Sequence, residues 1–193
     1  MKIKDFIEFV KNVGKLKKIP RTGWKIRGVK NPESVADHVF RTAILGMIIA
    51  DLKNLNKEKI IKMLLLHDLE ESITGDIITL DKIKNIKNSR KIGEHAMKSI
   101  LSKLPLKLRK EYFNLWKEFE EQKTKEAKLC RDIDKLEMMI QALEYEKEQP
   151  QKKKDLEIFW LKEELNKPKN YLLLIELFKE VKDSFKNKNY LVI

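Results

Sequence analysis

Cysteine is almost missing from this chain. Cys130 stands alone, so no disulfide can close within it, and a reducing compartment is expected. Six glycines and five prolines in 193 residues supply too little turn punctuation for an all-β design. Long apolar runs are absent as well. The longest, AILGMIIA at 43–50, is far short of the ~20 residues of a membrane span. The N-terminus, MKIKDFIEFV, carries Asp5 and Glu8 where a secretory leader has an apolar core. A cytoplasmic protein without a membrane segment is the expectation.

Lysine is plentiful. Lys and Arg total 42 against 30 acids, a formal charge of +12. Such a balance suits anionic partners: nucleic acid, a membrane surface or phosphate-bearing small molecules. It also suits the solvated faces of a heat-adapted protein. The charge is uneven. Residues 1–30 and residues 81–110 each hold ten basic groups and two acids. Between them no Lys or Arg occurs from Lys62 to Lys82, while Asp68, Glu70, Glu71 and Asp76 do.

The hydrophobic periodicity is helical nearly throughout. A first helix is expected around Phe6–Val10, then an ordered loop at 17–32. Asn31-Pro32 should open a long helix running to about Leu52, followed by one from Lys57 to His67. A further turn, Leu69–Ile73, should stop at Gly75. Residues 77–87 read as irregular. Helices follow at about 88–103, 106–121, 124–147, 153–166 and 169–186, with Pro105, Pro150 and Pro168 at three breaks. No repeat, low-complexity tract or linker interrupts the pattern. A single all-α domain over residues 1–193 is the expectation.

Only three histidines are present, and two touch an aspartate: Asp37-His38 and His67-Asp68. Ile60, Leu64, His67 and Glu71 fall at i, i+4, i+7 and i+11, one face of a helix whose first members are apolar. His67 and Glu71 should therefore be buried. A buried carboxylate needs a cation or a proton, and no basic residue is near in sequence. A metal ion is the economical counter-charge. His38 sits among apolar neighbours in the same way. In the helix of 124–147, Asp134 lies on a half-buried stripe, whereas Asp132 lies opposite and reads as solvated. His38, His67, Asp68 and Asp134 together offer two imidazoles and two carboxylates, a set for one divalent transition metal such as Co or Mn rather than Mg or Ca. Glu70 is read as facing water, Cys130 as core, His95 as structural or exposed, and Trp116 and Trp160 as core or dimer contacts.

The segments KIPRTGWKIRGV, PESVADHVFRTA, HDLEESITGDI and AKLCRDIDKLEMMIQALEYE resemble, in order, blocks of the HD-domain 5′-deoxynucleotidases. The resemblance spans about 10–146, with weaker C-terminal helices at about 150–193. It implies an all-α HD-domain helical bundle, a homodimer, and metal-dependent hydrolysis of deoxyribonucleoside 5′-monophosphates. It gives His38, His67, Asp68 and Asp134 the metal-ligand role and Glu71 the catalytic one. It places Arg21, Trp24 and Asp76 at the substrate, with Arg27 and Glu33 as support. Arg21 would hold the phosphate. Trp24 would stack on a base or wall the pocket, or else anchor its loop on the core. Asp76 would accept from the sugar hydroxyl, or else cap the loop after Gly75. Two alternatives stay open: another HD phosphohydrolase acting on a cyclic nucleotide, ppGpp or a dNTP, and a basic helical module binding nucleic acid.

Overall fold

The computed structural model describes residues 1–77, 86–161, 168 and 171–187. Every regular element among them is helical: α1 Ile3–Lys15, α2 Thr22–Lys25, α3 Val35–Leu52, α4 Lys57–Leu66, α5 Glu71–Thr74, α6 Ile86–Leu101, α7 Leu106–Glu121, α8 Lys125–Glu148, α9 Lys153–Leu161 and α10 Leu172–Asn187. Short 3-10 turns follow α1 and α8. One isolated antiparallel bridge joins Pro20 to Ser34.

Helix α8 is the central strut. Leu129, Ile133, Leu136, Met139 and Ala142 are all fully buried along it, against α3, α4, α7 and the C-terminal helices. Each such large aliphatic contributes about 1.5–3 kcal/mol by leaving water. A second cluster, built on Val35, Leu66, Met97, Ile100 and Trp116, lies toward α1 and α6. Leu115 packs against both clusters.

Helices α3 and α4 approach closely at Gly46. A Cβ built there would stand 2.2 Å from Leu64 Cδ1 and 3.1 Å from Ile60 Cγ2. Only a glycine lets these two helices meet so near, and each carries one of the two site histidines at its end.

Two boundaries differ from the sequence expectation. Helix α3 starts at Val35, not at Asn31-Pro32. The cause is a capping box: Asp37 N donates to Ser34 Oγ at 3.2 Å, and Ser34 N donates to Asp37 Oδ2 at 2.8 Å. Asn31, at φ 52°, turns the chain just before it. Helix α4 stops at Leu66, and residues 67–70 run as tight turns into α5. The stripe through Ile60, Leu64, His67 and Glu71 is thus broken, although all four residues are buried. Gly75, at φ 72°, ends α5 as expected. Most of the irregular stretch expected at 77–87 lies outside the described residues, as do the later part of 153–166, the start of 169–186, and the side chain of Trp160.

Candidate active site

His38, in the first turns of α3, and His67, the C-cap of α4, point their Nε2 atoms at each other across 3.4 Å. Asp134, from α8, brings Oδ1 to 3.1 Å from His38 Nε2 and 4.0 Å from His67 Nε2. Asp68 Oδ2 lies 3.3 Å from His67 Nε2 and 3.8 Å from His38 Nε2. Three elements far apart in sequence thus converge on one point.

These separations can be tested against a metal ion. With bonds of about 2.0–2.2 Å, neighbouring ligand atoms stand about 3.0–3.4 Å apart and opposed ones up to about 4.2 Å. The separations among His38, His67 and Asp134 and those from Asp68 to the two histidines meet that range. His38, His67 and Asp134 form a group close enough to hold an ion. Asp68 stands at its edge, where Arg21 NH1 donates to its Oδ2 at 3.2 Å.

The Nδ1 side of each imidazole is committed elsewhere, which leaves Nε2 as the atom turned to the cluster. His67 Nδ1 donates to the Leu64 carbonyl at 2.6 Å. His38 Nδ1 faces Glu137 Oε2 in a short contact. Glu137 is fully buried, and its Oε1 accepts from Arg41 Nε at 2.8 Å and NH2 at 2.7 Å. Arg41 also donates through NH1 to Glu144 at 2.7 Å and through NH2 to Gln141 Oε1 at 2.5 Å. Carboxylates behind metal-binding histidines fix the tautomer and strengthen the ligand. Glu33, His38 and Glu137 also sit close enough to form a group. Glu137 is turned to Arg41 and to the back of His38, so that group supports the His38 ring.

Buried charges at the site act strongly on one another. Burial and Arg21 would lower His38, but Glu137 and Asp134 outweigh them and push it up to about 10. Burial would raise Asp134 and Asp68, yet the histidines and nearby arginines hold both well below the ordinary carboxylate range. Burial would depress Arg21, but Asp68, Asp76, Glu71 and Asp134 raise it instead. Burial first, then Glu137, pushes Glu33 up to about 7.

The substrate-side residues fall out unevenly. Glu71 opens α5 with 2% exposure, close enough for its charge to act on Arg21. Asp76 Oδ2 accepts from Thr22 N at 2.5 Å, and Thr22 Oγ1 donates to the Asp76 carbonyl at 2.7 Å. Asp76 thereby braces the loop that carries Arg21. Trp24 does not face the site. It is 2% exposed, packed edge-on to Tyr145 and tilted against Phe159, with Nε1 donating to Glu33 Oε1 at 2.9 Å. The stacking expectation gives way to the anchoring one, because both neighbours cover the ring. Arg27 holds the same loop, with its guanidinium 4.8 Å from the centre of Phe159 and NH1 donating to the Gly23 carbonyl.

Two acids read as solvated are buried. Glu70 Oε2 accepts from Trp116 Nε1 at 2.9 Å, because the break after Leu66 turns it inward. Asp132 is 4% exposed, since α10 covers that side of α8. Cys130 is fully buried, and burial raises its thiol. His95 is exposed.

The HD domain family matches residues 13–170. The 5′-deoxynucleotidase HDDC2 of Homo sapiens is 45% identical over 143 residues, covering 74% of this chain and 69% of the relative. That of Dictyostelium discoideum is 45% identical over 151 residues, covering 75% and 79%. A solved structure of a conserved hypothetical protein from Pyrococcus furiosus is 35% identical, with a TM-score of 0.72 over 94% of this chain and 99% of that one. With histidines and aspartates from three elements converging as they do, the chain belongs to the HD-domain family, in the group of the 5′-deoxynucleotidases.

Proposed function

We propose that the protein is a metal-dependent 5′-deoxynucleotidase, hydrolysing deoxyribonucleoside 5′-monophosphates to a deoxynucleoside and phosphate. The observation that carries this reading is the convergence of His38, His67 and Asp134, with Arg21 reaching the same edge through Asp68. His38, His67, Asp68 and Asp134 would hold one divalent ion. Two imidazoles and two carboxylates suit Co, Mn or another transition metal. When bound, such an ion neutralises phosphate charge and makes water more acidic.

The chain's own residues supply the rest. Arg21 presents a planar fork to the phosphate oxygens. Glu71, buried beside Arg21, takes the proton of the attacking water and returns one to the 5′ oxygen as the P–O bond breaks. Asp76 meets the sugar side of the substrate while it braces Thr22. The basic segments on either side of the acidic stretch offset its field for an anionic substrate.

The domain is read as one unit over 1–193, since Leu115 joins both hydrophobic clusters. A homodimer is proposed. Phe40, Ile44, Ile48 and Leu52 recur along α3 with 37–67% of their surface exposed, an apolar stripe suited to a second copy. Among the described residues no helix is long and apolar enough to cross a membrane. The cytoplasm is proposed on the single buried thiol.

The test is phosphate release from 5′-mononucleotides, deoxy and ribo, by metal-stripped protein resupplied with Co, Mn, Mg or Zn. Metal-dependent release from deoxynucleotides, absent in Asp68→Ala, is expected. No release with any metal, from folded protein, would refute the reading. Turnover of cyclic nucleotides or dNTPs instead would move the substrate class. Light scattering of the eluted protein checks the dimer; a monomer mass would remove that proposal.

A further inference from the structure

Arg21 stands on a loop that is held from the far end of the chain. At the base of the loop, Arg21 N donates to the Glu33 carbonyl at 2.9 Å, and Val35 N donates to the Ile19 carbonyl at 2.9 Å. These bonds flank the Pro20–Ser34 bridge. The same Glu33 residue is gripped on its other side, where its N–H donates to the Tyr145 hydroxyl at 2.7 Å. Four residues further along, Gln149 takes both main-chain groups of Lys30. Its Oε1 accepts from Lys30 N at 2.9 Å, and its Nε2 donates to Lys30 O at 3.2 Å. These partners are 112 and 119 residues apart in sequence.

Glu33 is therefore a relay in the literal chain sense. Its N–H is fixed by Tyr145, its C=O fixes Arg21, and its carboxylate accepts from Trp24, which itself packs on Tyr145. An arginine carries much rotamer freedom, and a binding fork works only when its base is held to within about 0.5 Å. Arg21 is the N-cap of the single-turn helix α2, in a segment that is otherwise irregular and least able to hold itself. Its backbone takes its position from α8, the same helix that delivers Asp134.

We propose that Tyr145 and Gln149 are positioning residues for substrate phosphate: by clamping Glu33 and Lys30 to the end of α8, they set Arg21 at a fixed distance from the metal-ligand cluster. The clamp makes one rigid body of the phosphate-binding cation and a metal ligand. It also gives the segment after Asp134 a part in the reaction without touching the substrate. This rests on the reading that Arg21 binds the phosphate.

The test uses Tyr145→Phe, which keeps the ring against Trp24 and removes only the hydroxyl, and Gln149→Ala, which removes both bonds to Lys30. The readouts are KM and kcat for a deoxynucleoside monophosphate and the inhibition constant of inorganic phosphate. Each variant is made alone and in the Arg21→Ala background. Loss of one buried hydrogen bond sets the scale, a rise of about 5–10-fold in KM and in the phosphate constant, with kcat within about twofold. In the Arg21→Ala background the same substitutions should change neither constant, because distant effects add and coupled ones do not. An equal effect in both backgrounds would show a general structural role and overturn the assignment. Unchanged constants in both single variants, with Arg21→Ala impaired, would overturn the clamp and leave Arg21 standing. Unchanged constants in Arg21→Ala itself would overturn both.

Discussion

Glu137→Gln isolates the support behind His38. The substitution keeps the shape and removes the charge at a fully buried position. Glu137 faces donors on both oxygens: His38 Nδ1 on Oε2, and Arg41 Nε and NH2 on Oε1. A glutamine has one acceptor end and one donor end. Arg41 brings two N–H groups and cannot accept, so the amide oxygen goes to Arg41 and the amide nitrogen turns to His38. Nδ1 must then act as acceptor, and the proton moves to Nε2, the atom that should bind the metal. Losing the carboxylate also removes a charge that holds His38 up at about 10. Changes at such supporting carboxylates cost about 10–100-fold in metal affinity, equivalent to about 1.4–2.7 kcal/mol. Arg41 keeps Glu144 and Gln141, so the stability loss should stay near about 1 kcal/mol. The assay is calorimetric titration of metal-stripped protein with Mn or Co, alongside activity at excess metal. A weaker constant with activity recovered at high metal is expected. A constant within twofold of wild type, in folded protein, would refute the supporting role of Glu137.

Three other outcomes follow from the same geometry. Glu71→Gln should lower kcat by about 100-fold or more with little change in metal affinity; a rate within a few-fold of wild type would remove its proton-handling role. Glu33, raised to about 7 from 4.5, binds more protons folded than unfolded between those values, so its contribution is present below about pH 4.5 and lost as pH rises through 7. The displacement corresponds to at most about 3 kcal/mol. Urea unfolding of metal-stripped Glu33→Gln should show a flatter pH dependence than wild type and higher stability at pH 8; equal loss at pH 5 and pH 8 would contradict this. Gly46→Ala places a methyl against Leu64 and should cost about 1–3 kcal/mol in thermal or urea unfolding, with weaker metal binding as α3 and α4 part. Unchanged stability would mean the two helices have room that the packing does not show.

Much of this site could be read from the chain before folding was considered. The apolar stripes of α3, α4 and α8 placed His38, His67 and Asp134 on inner faces, and those faces do meet. Helical periodicity carries that information because burial follows a 3.6-residue repeat. It failed where the backbone left the repeat. The break after Leu66 brought Glu70 inward to Trp116, and no spacing rule announces it. Pattern also failed where a face is covered late in the chain, as α10 covers Asp132. Glu137 was missed for a different reason. It lies on neither the core stripe nor the half-buried stripe of α8 that the periodicity picks out. Its meaning comes from His38 and Arg41, about a hundred residues earlier. Trp24 was legible as an aromatic in a loop, but its direction depends on Tyr145 and Phe159.

The two histidines differ in one respect with long consequences. His38 leans on a side chain, Glu137, while His67 leans on the main-chain oxygen of Leu64. Substitution can delete, shorten or neutralise the first partner. It cannot delete the second, because every residue type carries that oxygen. The proposed metal centre would thus rest on one partner open to substitution and one that is not. Changes in sequence can tune ion affinity through α3 and α8, while the α4 side stays fixed as long as its last turn stays wound. Engineering the ion preference of this enzyme should therefore begin at Glu137 and Arg41, where the chain has left itself a dial.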